Sequence, residues 1–499
     1  MATKLASTET DFDVVIIGAG ISGIGAAHYL ATQRPTTSYA ILEGRADIGG
    51  TWNLFKYPGI RSDSDMPSFC FGFRPWTHKK SIADADIILD YLNATIDQNG
   101  IAGHIRFDTK VSSAEFDSET GRWSIHAVNS STGESTVYTA RFIYSGTGYY
   151  NYEAGYTPEF AGLDTFGGQV VHPQHWPEDL DYSGKKVVVI GSGATAVTVV
   201  PAMASTAAHV TMLQRSPSYV LALPAEDAIA NTLNKLVGPQ RAHAIIRRKN
   251  IAINRGLFKA CERMPSVMRR LLIAGVRRRL PKGFDVDTHF TPNYAPWDQR
   301  LCMVPNGDLF TAISSGRASV VTDHIEAFTE TGIALKSGQH LDADIVVTAT
   351  GLNLLPLGGI DLRVDGSPVD IADTVAYKAM MLSGVPNFVF AFGYTNLAWT
   401  LKVELVCAHL IRLLDHMDAH GHAVVTPMLP ASGVERTPMI EMSSGYVQRK
   451  IATFPKAGST GPWTVKMAYE DDIARLKHGP VADPALRFTS RSASYVTAS

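Results

Sequence analysis

The amino-acid sequence predicts an α/β protein that contains two parallel-sheet units and a helical insertion. Two glycine-rich turns, at residues 18–23 (GAGISG) and 191–196 (GSGATA), each follow a short apolar run typical of a buried parallel strand. Helix-forming residues and a second strand come after each turn. A strongly basic stretch, residues 240–282, interrupts the second unit. We therefore expect two Rossmann-like βαβ units, with helices inserted in the second.

The composition is that of an ordinary globular protein. The 499 residues are too many for one core, so we expect two or three domains. The formal charge of −2 offers no electrostatic footprint for nucleic acid. The four cysteines show no metal-binding spacing, and the polar N-terminal residues 1–11 do not resemble a signal peptide. No apolar run is long enough to span a membrane, so we expect a cytoplasmic protein without a metal site.

The first glycine turn has the features of a complete dinucleotide site. It lies between a strand at residues 13–17 and a helix at residues 24–31, and a second strand follows at residues 38–43. The first glycine permits the tight turn, the second lets the backbone approach a pyrophosphate, and the third lets helix and strand pack closely. An acidic residue at the end of the second strand is placed to bind ribose hydroxyls. We assign this site to FAD, with contacts from Gly18, Gly20, Ser22, Gly23 and Glu43.

The second glycine turn differs from the first at two positions, and one of these differences changes which cofactor we predict. Strands at residues 186–190 and 209–215 flank a helix expected at residues 195–208. Alanine takes the place of the third glycine, and the second strand ends in Arg215 rather than in an acid. A guanidinium can pair with a 2′-phosphate, which an acid would repel, so the site is predicted to bind NADPH. The alternative is a surface arginine. The predicted contacts are Gly191, Gly193, Ala194, Thr195 and Arg215.

Two further strand-to-turn junctions, at residues 142–148 and 344–351, look like crossovers between domains. A last buried strand at residues 387–393 precedes a helix expected at residues 395–417. The simplest organisation is an FAD domain from residues 1–148 and 351–499, with an NADP domain at 149–350 that carries the helical insertion at about 225–290. A chain that holds two dinucleotides can pass electrons between them, so the leading interpretation is an oxidoreductase.

The basic stretch allows two interpretations. Residues 240–282 hold 13 Lys or Arg and a single acid, Glu262, among apolar helix formers. A solvated basic face would help to attract NADPH. Alternatively, the stretch makes a peripheral contact with a membrane surface.

Residues 166–177 (FGGQVVHPQHWP) match the fingerprint of Baeyer–Villiger monooxygenases at every defined position, namely Phe166, Gly168, His172, Trp176 and Pro177. The segment from Gly49 to Asp63, with GGTW at 49–52 and YPG at 57–59, is also similar to the type I pattern. Flavin-containing monooxygenases usually end the fingerprint in Tyr or Phe rather than Trp-Pro. The sequence thus resembles the type I Baeyer–Villiger monooxygenases over nearly its whole length, and it looks most like their ethionamide-activating branch.

The resemblance implies a reaction and two cofactors. NADPH reduces FAD, dioxygen adds at flavin C4a, and the resulting peroxide attacks a ketone to give an ester or lactone. Sulfides and thioamides are further expected substrates. The resemblance also implies that the fingerprint couples domain movement to catalysis, and it does not assign His172 the role of an acid or base. Direct proton transfer by His172 stays an open alternative. Another alternative is that His172 and Trp176 are simply packed in a linker between domains.

The resemblance also places catalytic and flavin-binding residues. Arg300 aligns with the active-site arginine of the family, and Asp63 with the carboxylate that holds it. The position of Asn396 resembles that at which backbone amides of the family meet the flavin, and Gln299 stands where the family often has a lysine. An alternative for Arg300 is a purely structural salt bridge. The flavin-side contacts implied are Thr51, Trp52, Asp63 and Asn396.

Three other functions remain in competition. An N- or S-oxygenating flavin-containing monooxygenase would share the fold and the cofactors. A pyridine nucleotide–disulfide reductase is disfavoured because the chain has no Cys-x-x-Cys pair. A non-catalytic redox sensor that binds nucleotides is the third.

Overall fold

The computed structural model describes residues 10–490. The N-terminal part of the chain forms the first βαβ unit and a long antiparallel excursion. Its elements are β1 Asp11–Ile17, α1 Ile21–Gln33, β2 Tyr39–Leu42, α2 Thr51–Leu54, α3 Met66–Phe69, α4 Ala85–Gln98, β3 Ile105–Arg106, β4 Thr109–Asp117, β5 Arg122–Asn129 and β6 Ser135–Ser145.

The middle part contains the second βαβ unit and most of the remaining helices. Its elements are β7 Tyr150–Gly155, β8 Gln169–Val171, β9 Lys186–Ile190, α5 Ala194–Met203, β10 His209–Gln214, β11 Val220–Leu223, α6 Ala228–Val237, α7 Pro239–Arg263, α8 Pro265–Arg277, α9 Val286–His289, β12 Cys302–Pro305, α10 Asp308–Ser314, β13 Ala318–Thr322, β14 Ile325–Thr329, β15 Gly332–Leu335, β16 His340–Asp342 and β17 Ile345–Thr348.

The C-terminal part returns to the first sheet. Its elements are β18 Leu352–Leu354, β19 Asp361–Val364, β20 Ser367–Pro368, β21 Ala376–Tyr377, β22 Met381–Leu382, β23 Phe388–Phe390, α11 Trp399–Ala419, β24 His422–Pro427, β25 Arg436–Pro438, α12 Gly445–Gln448, β26 Lys456–Gly458, α13 Tyr469–Asp472 and β27 Leu486–Ser490.

The larger sheet of the described residues contains nine strands in the order β20-β19-β4-β5-β6-β1-β2-β3, with β23 also paired with β6. Strand β1 is parallel to both β2 and β6, as a βαβ unit requires. Helices α1 and α11 pack against each other on this sheet. Helix α11 begins at Trp399, later than the sequence predicts, because Ala398 has an extended backbone (φ −62°, ψ 137°).

The second sheet contains five parallel strands, in the order β13-β10-β9-β17-β8, within the described part of the chain. Helix α5 ends at Met203, five residues before the predicted end at residue 208. Just beyond it, the Ser205 hydroxyl donates to the carbonyl of Ala202, which is a local bond that competes with helix continuation. The fingerprint segment enters this sheet through its edge strand, β8.

Two chain segments connect the sheets, and they pair with each other. Strand β18 is antiparallel to β7, with Leu352 opposite Gly155 and Leu354 opposite Tyr150. The predicted domain boundaries at residues 148 and 351 stay a prediction. The chain segments that follow these two boundaries are the ones that pair at this crossover. Residues 1–9 and 491–499 of the predicted FAD domain, and with them most of the polar N-terminal segment, lie outside the described residues.

The basic stretch forms helices α7 and α8, which follow α6. One face of α7 is anchored on the first unit. Arg247 forms an ion pair with Glu404 of α11, in which the two side chains keep only 14% and 12% of their surface exposed. The amides of Asn250 and Asn254 each donate to the Asp65 carboxylate, at 2.8 Å. Within residues 10–490, no helix is both long and apolar enough to cross a bilayer.

Candidate functional site

A cavity of about 1390 Å³ lies between the two sheets. Pockets for one small ligand usually measure about 300–1,000 Å³, so this cavity has room for more than one. Thirteen of the residues predicted from the sequence line it: Gly18, Gly20, Ser22, Glu43, Thr51, Trp52, Asp63, Gly191, Gly193, Ala194, Thr195, Arg215 and Arg300.

The first glycine turn fits a dinucleotide. Gly18 has φ +97°, a backbone conformation that side chains rarely allow. A Cβ on Gly23 would lie 1.9 Å from the Gly18 carbonyl oxygen. The protein's own backbone therefore requires glycine at both positions, whether or not a ligand is bound. Gly20 differs, because its nearest neighbour would be the Cα of Gly50, at 3.8 Å. The backbone at Gly20 therefore presents an open surface to the cavity at the start of α1, where phosphate groups are favoured.

Glu43 is buried at the end of β2 and lines the same cavity. Its carboxylate accepts hydrogen bonds from the backbone amides of Ala19 (2.7 Å) and Arg45 (3.0 Å). Burial raises the pKa of Glu43, while these two hydrogen bonds oppose that rise. A carboxylate offers about four lone-pair sites, so acceptor capacity remains for the ribose hydroxyls that the sequence predicts there.

The second glycine turn also fits a dinucleotide. Gly191 has φ +138°, and a Cβ there would lie 2.4 Å from the Ala349 carbonyl oxygen. A Cβ on Gly193 would meet no atom within 4 Å, so its backbone is open to a ligand. Ala196 is fully buried, which explains why a small residue suffices in place of the third glycine. Arg215 is exposed at the end of β10, and no ion pair of the described residues involves it.

Arg300 and Asp63 come together on the wall of the cavity. The Arg300 Nε lies 2.8 Å from Asp63 Oδ2. The carboxylate raises the pKa of Arg300 further above its ordinary value, and this effect exceeds the lowering due to burial. The two side chains keep 36% and 42% of their surface exposed, and both line the cavity. A permanent cation thus faces the space between the two glycine turns.

The loop that carries Arg300 is shaped by an unusual backbone. Trp297 has φ +80°, a value that bulky residues rarely adopt. Its ring meets Phe258 of helix α7 edge-on, with the centroids 5.4 Å apart. The helical insertion therefore supports the loop on which the cation sits.

Sequence reasoning missed three tyrosines beside Arg300. The hydroxyls of Tyr149 and Tyr150 lie 3.0 Å apart, and Tyr446 lines the same wall. Burial raises the pKa of all three, so they remain protonated donors at neutral pH. Tyr149 and Tyr150 follow a predicted strand end and could have been suspected, but nothing near Tyr446 in the sequence marks it.

An aromatic wall connects these tyrosines to the first glycine turn. The ring of Tyr149 stacks on Trp399, with centroids 5.4 Å apart and planes 16° apart. The Trp399 Nε1 donates to the Ser22 hydroxyl at 2.8 Å. Thr51 lies nearby, with its hydroxyl 3.4 Å from that of Tyr152. The predicted Ser22 and Thr51 therefore form part of the structure that shapes the cavity.

One predicted flavin contact does not face the cavity through its side chain. The Asn396 amide donates to the carbonyl of Met467 at 3.0 Å, and its neighbours Thr395 and Leu397 line the cavity instead. A backbone contact to the flavin in this loop stays a prediction.

The fingerprint residues Phe166, Gly168, His172, Trp176 and Pro177 do not line the cavity. His172 Nδ1 accepts from the Gln174 amide (3.1 Å), and Nε2 donates to the Gly351 carbonyl (3.2 Å). Burial lowers the pKa of His172, which favours the neutral ring that these two bonds require. A Cβ on Gly155 would lie 1.9 Å from that ring. His172 is thus packed against both crossover segments.

Comparison with known proteins gives a consistent result. The model of the family described as flavin-binding monooxygenase-like matches residues 12–356. The FAD-containing monooxygenase EthA of Mycobacterium tuberculosis is 51% identical over 482 residues, which cover 96% of this chain and 98% of that protein. The EthA protein of Mycolicibacterium smegmatis is 50% identical over 484 residues, with 97% and 98% covered.

Solved structures agree on the fold. Oxidized steroid monooxygenase bound to NADP aligns with a TM-score of 0.78 at 24% identity, over 96% of this chain and all of that one. The open crystal structure of cyclohexanone monooxygenase aligns with a TM-score of 0.76 at 19% identity and the same coverage of 96% and 100%. The predicted fold class, a flavoprotein with two dinucleotide-binding units, is confirmed.

The two kinds of glycine in the first turn make a testable contrast. We expect Gly20→Val to fold and to lose FAD, because its side chain would project into the space a pyrophosphate needs. Gly23→Val should instead fail to fold or yield little soluble protein, because its Cβ collides with the Gly18 carbonyl. Flavin absorbance per chain and circular dichroism of the purified variants measure both effects. A folded Gly20→Val protein with stoichiometric FAD would contradict the site.

Proposed function

This chain belongs to the flavin-binding monooxygenase-like family, and we propose that within it the chain is a Baeyer–Villiger monooxygenase that uses FAD and NADPH. It inserts one atom of O₂ into the bond between a ketone carbonyl and its neighbouring carbon, giving an ester or lactone, while the second atom leaves as water. NADPH supplies the two electrons. The observation that carries the proposal is the Arg300–Asp63 pair, which faces a cavity bordered by both glycine turns.

The residues of the chain have separate tasks in this reaction. Bound FAD supplies the oxygen-activating chemistry once NADPH has reduced it. Glu43 and the first glycine turn hold FAD, and the second turn and Arg215 hold NADPH. Arg300 stabilises negative charge that develops next to the flavin, and Asp63 orients its guanidinium. Because the hydroxyls of Tyr149 and Tyr150 are hydrogen-bonded to each other, only one of these two protonated residues can donate to a substrate oxygen, and Tyr446 lines the same wall.

The expected substrates are ketones, with sulfides and thioamides oxidised at sulfur as further candidates. The aromatic wall formed by Tyr149, Trp399 and Phe392 supports a small, partly apolar substrate beside the cation. An N- or S-oxygenating flavin-containing monooxygenase is the main alternative, and the Trp176-Pro177 ending of the fingerprint disfavours it. Product analysis with one ketone and one thioether separates the two, since only a Baeyer–Villiger enzyme turns the ketone into an ester.

Replacement of Arg300 by alanine tests the catalytic assignment. We expect a folded, yellow protein that forms no ester, with the remaining NADPH oxidation diverted to hydrogen peroxide, because the only cation assigned to the reacting centre is lost. Asp63→Asn should show a milder form of the same defect. The measurement is ester formed per NADPH consumed, together with the thermal unfolding midpoint.

The matched control is Arg141→Ala, which removes an arginine paired with Asp418 away from the cavity. This control should keep its coupling between NADPH consumption and ester formation. If Arg300→Ala also kept its coupling and merely lost stability, the pair would be structural and the catalytic arginine would lie elsewhere.

Arg215 is expected to select NADPH over NADH. A hydrogen bond to a charged group contributes about 1.5–3 kcal/mol, or roughly 10–100-fold in affinity. Arg215→Ala should therefore raise the KM for NADPH by up to that factor and leave the KM for NADH nearly unchanged. Arg317→Ala, an exposed arginine of the same unit outside the cavity, is the control. Equal losses with both cofactors would exclude a 2′-phosphate contact.

We also propose that helices α6–α8 bind an anionic membrane surface peripherally. These helices, together with Met264 between α7 and α8, expose large apolar side chains to 40–73% of their surface. The exposed side chains within the helices are those of Ile229, Leu236, Val237, Ile245, Ile253, Val267 and Leu271. Exposed cations lie in the same segment, including Arg241, Arg248, Arg263, Arg270 and Arg278, whereas Arg277 is paired with Asp287. A solvated face that only attracts NADPH would not need exposed apolar side chains. A helix that lies at a membrane surface needs both apolar and basic side chains on its exposed surface.

Vesicle sedimentation tests the membrane contact. The protein should pellet with phosphatidylglycerol vesicles, much less with phosphatidylcholine vesicles, and less as salt screens the charges. Arg248→Gln with Arg270→Gln should weaken binding about tenfold or more, since each basic residue near such a surface contributes about 1 kcal/mol. Leu236→Gln with Leu271→Gln should also weaken it, while Val137→Gln, exposed outside these helices, should not. The proposal would be overturned if the sedimented fraction of protein were the same with both lipids and in both double variants.

A further inference from the structure

Arg449 carries a positive charge that the proposed mechanism leaves unused. It follows helix α12 in the C-terminal part of the chain and lines the same cavity as Arg215. No ion pair between residues 10 and 490 includes it. An exposed cation without an acidic partner, turned toward a cavity built for two dinucleotides, is available to bind an anion.

The guanidinium of Arg449 is held in place by the crossover segments. Its Cζ lies 3.5 Å from the centroid of the Tyr156 ring, and Nη2 donates to the Leu352 carbonyl at 3.3 Å. The amide of Tyr156 in turn donates to the Gly351 carbonyl at 3.0 Å. Stacking uses the flat face of a guanidinium, and the bond to Leu352 uses one of its five N–H groups. The remaining N–H groups keep their capacity to bind a ligand.

The strand order of the second sheet locates Arg449 relative to the glycine turn. Strand β9, which ends in that turn, lies between β10 and β17. Arg215 follows β10, whereas Arg449 Nη2 lies 3.5 Å from the position of a Cβ on Gly351, just after β17. The two cations therefore stand on opposite sides of the turn. A dinucleotide crosses the carboxyl ends of such strands with its pyrophosphate above the turn.

The charges of the two arginines affect each other. Burial lowers the pKa of Arg449, and the positive charge of Arg215 lowers it further. Neither arginine forms an ion pair with an acid among the described residues, and two such cations on one cavity make a region where an anion is stabilised. Each arginine thus increases the attraction of the region for phosphate groups.

We infer that Arg449 binds the pyrophosphate of NADP(H) from the side opposite Arg215. The inference rests on the proposed NADP site. It assigns the different phosphate groups of the nucleotide to different arginines. Arg215 binds the 2′-phosphate, which only NADP(H) has, and Arg449 binds the pyrophosphate, which NAD(H) shares. Because Arg449 belongs to the C-terminal part of the chain, bound cofactor would connect that part to the second sheet.

Titration calorimetry with NADP⁺ and NAD⁺ on the FAD-loaded protein tests this division. Arg449→Gln should weaken the binding of both nucleotides by the same factor, about tenfold, so the ratio of their affinities stays unchanged. Arg215→Gln should instead weaken NADP⁺ binding more than NAD⁺ binding, which lowers the ratio of the NADP⁺ affinity to the NAD⁺ affinity. Arg449→Lys should recover part of the lost affinity, because lysine keeps the positive charge but lacks the paired N–H groups of a guanidinium. Lys450→Gln removes the neighbouring exposed cation, which does not line the cavity, and should change nothing.

The outcomes separate the alternatives. A selective loss of NADP⁺ binding in Arg449→Gln would overturn the inference by assigning Arg449 to the 2′-phosphate. Unchanged binding with a lower unfolding temperature would overturn it in favour of a structural clamp on Tyr156. Failure of wild-type protein to bind NADP⁺ would refute the proposed function itself, whereas failure to form an ester would leave the binding result standing.

Discussion

The pairing of the two crossover segments is the constraint on which the rest of the site depends. Strands β7 and β18 hydrogen-bond to each other at the point where the chain leaves one sheet and returns to it. His172 adds a bond to Gly351 and packs on Gly155, so that the fingerprint is fixed to both segments at once. This arrangement brings both glycine turns to one cavity. Electron transfer between two dinucleotides requires that proximity.

The charges of the cavity follow from the same arrangement. Glu43 lies at the end of β2, where two backbone amides already satisfy part of its carboxylate. Arg300 sits on the cavity wall, where its ion pair with Asp63 fixes the position of its guanidinium. Arg215 and Arg449 have no such balance among the described residues. In the proposed site, these unpaired charges would bind the phosphate groups of NADP(H).

The helical insertion has two faces with different roles. Arg247 and Glu404 form a largely buried ion pair that fixes α7 to α11. Removal of one partner from such a pair is costly, since it leaves a charge without compensation. Phe258 of the same helix packs against Trp297 in the loop before Arg300. The outer faces of the helices carry the exposed apolar and basic residues of the proposed membrane contact.

The sequence by itself determined the local features. The tight turn at Gly18 and the close packing at Gly23 follow the sequence prediction, because backbone conformation and the space for a Cβ are decided within a few residues. The contact of Gly20 with a pyrophosphate stays a prediction. Strands β1, β9 and β10 were predicted to within two residues, because a buried parallel strand is a continuous apolar run. The expected contact between Arg300 and Asp63 also formed, although it came from a family resemblance and not from spacing.

Only the tertiary structure decided which distant residues share the cavity. Tyr446 lies in the short helix α12 and Arg449 directly follows it, and no sequence motif marks either residue. Both reach the site because the C-terminal segment folds back over the crossover. The same folding turns the side chain of Asn396 toward Met467 and places the fingerprint behind the cavity wall. Periodicity and turn chemistry act over a few residues, whereas these contacts join positions up to hundreds of residues apart. Their geometry is set by the packing of the two sheets, which no local pattern encodes.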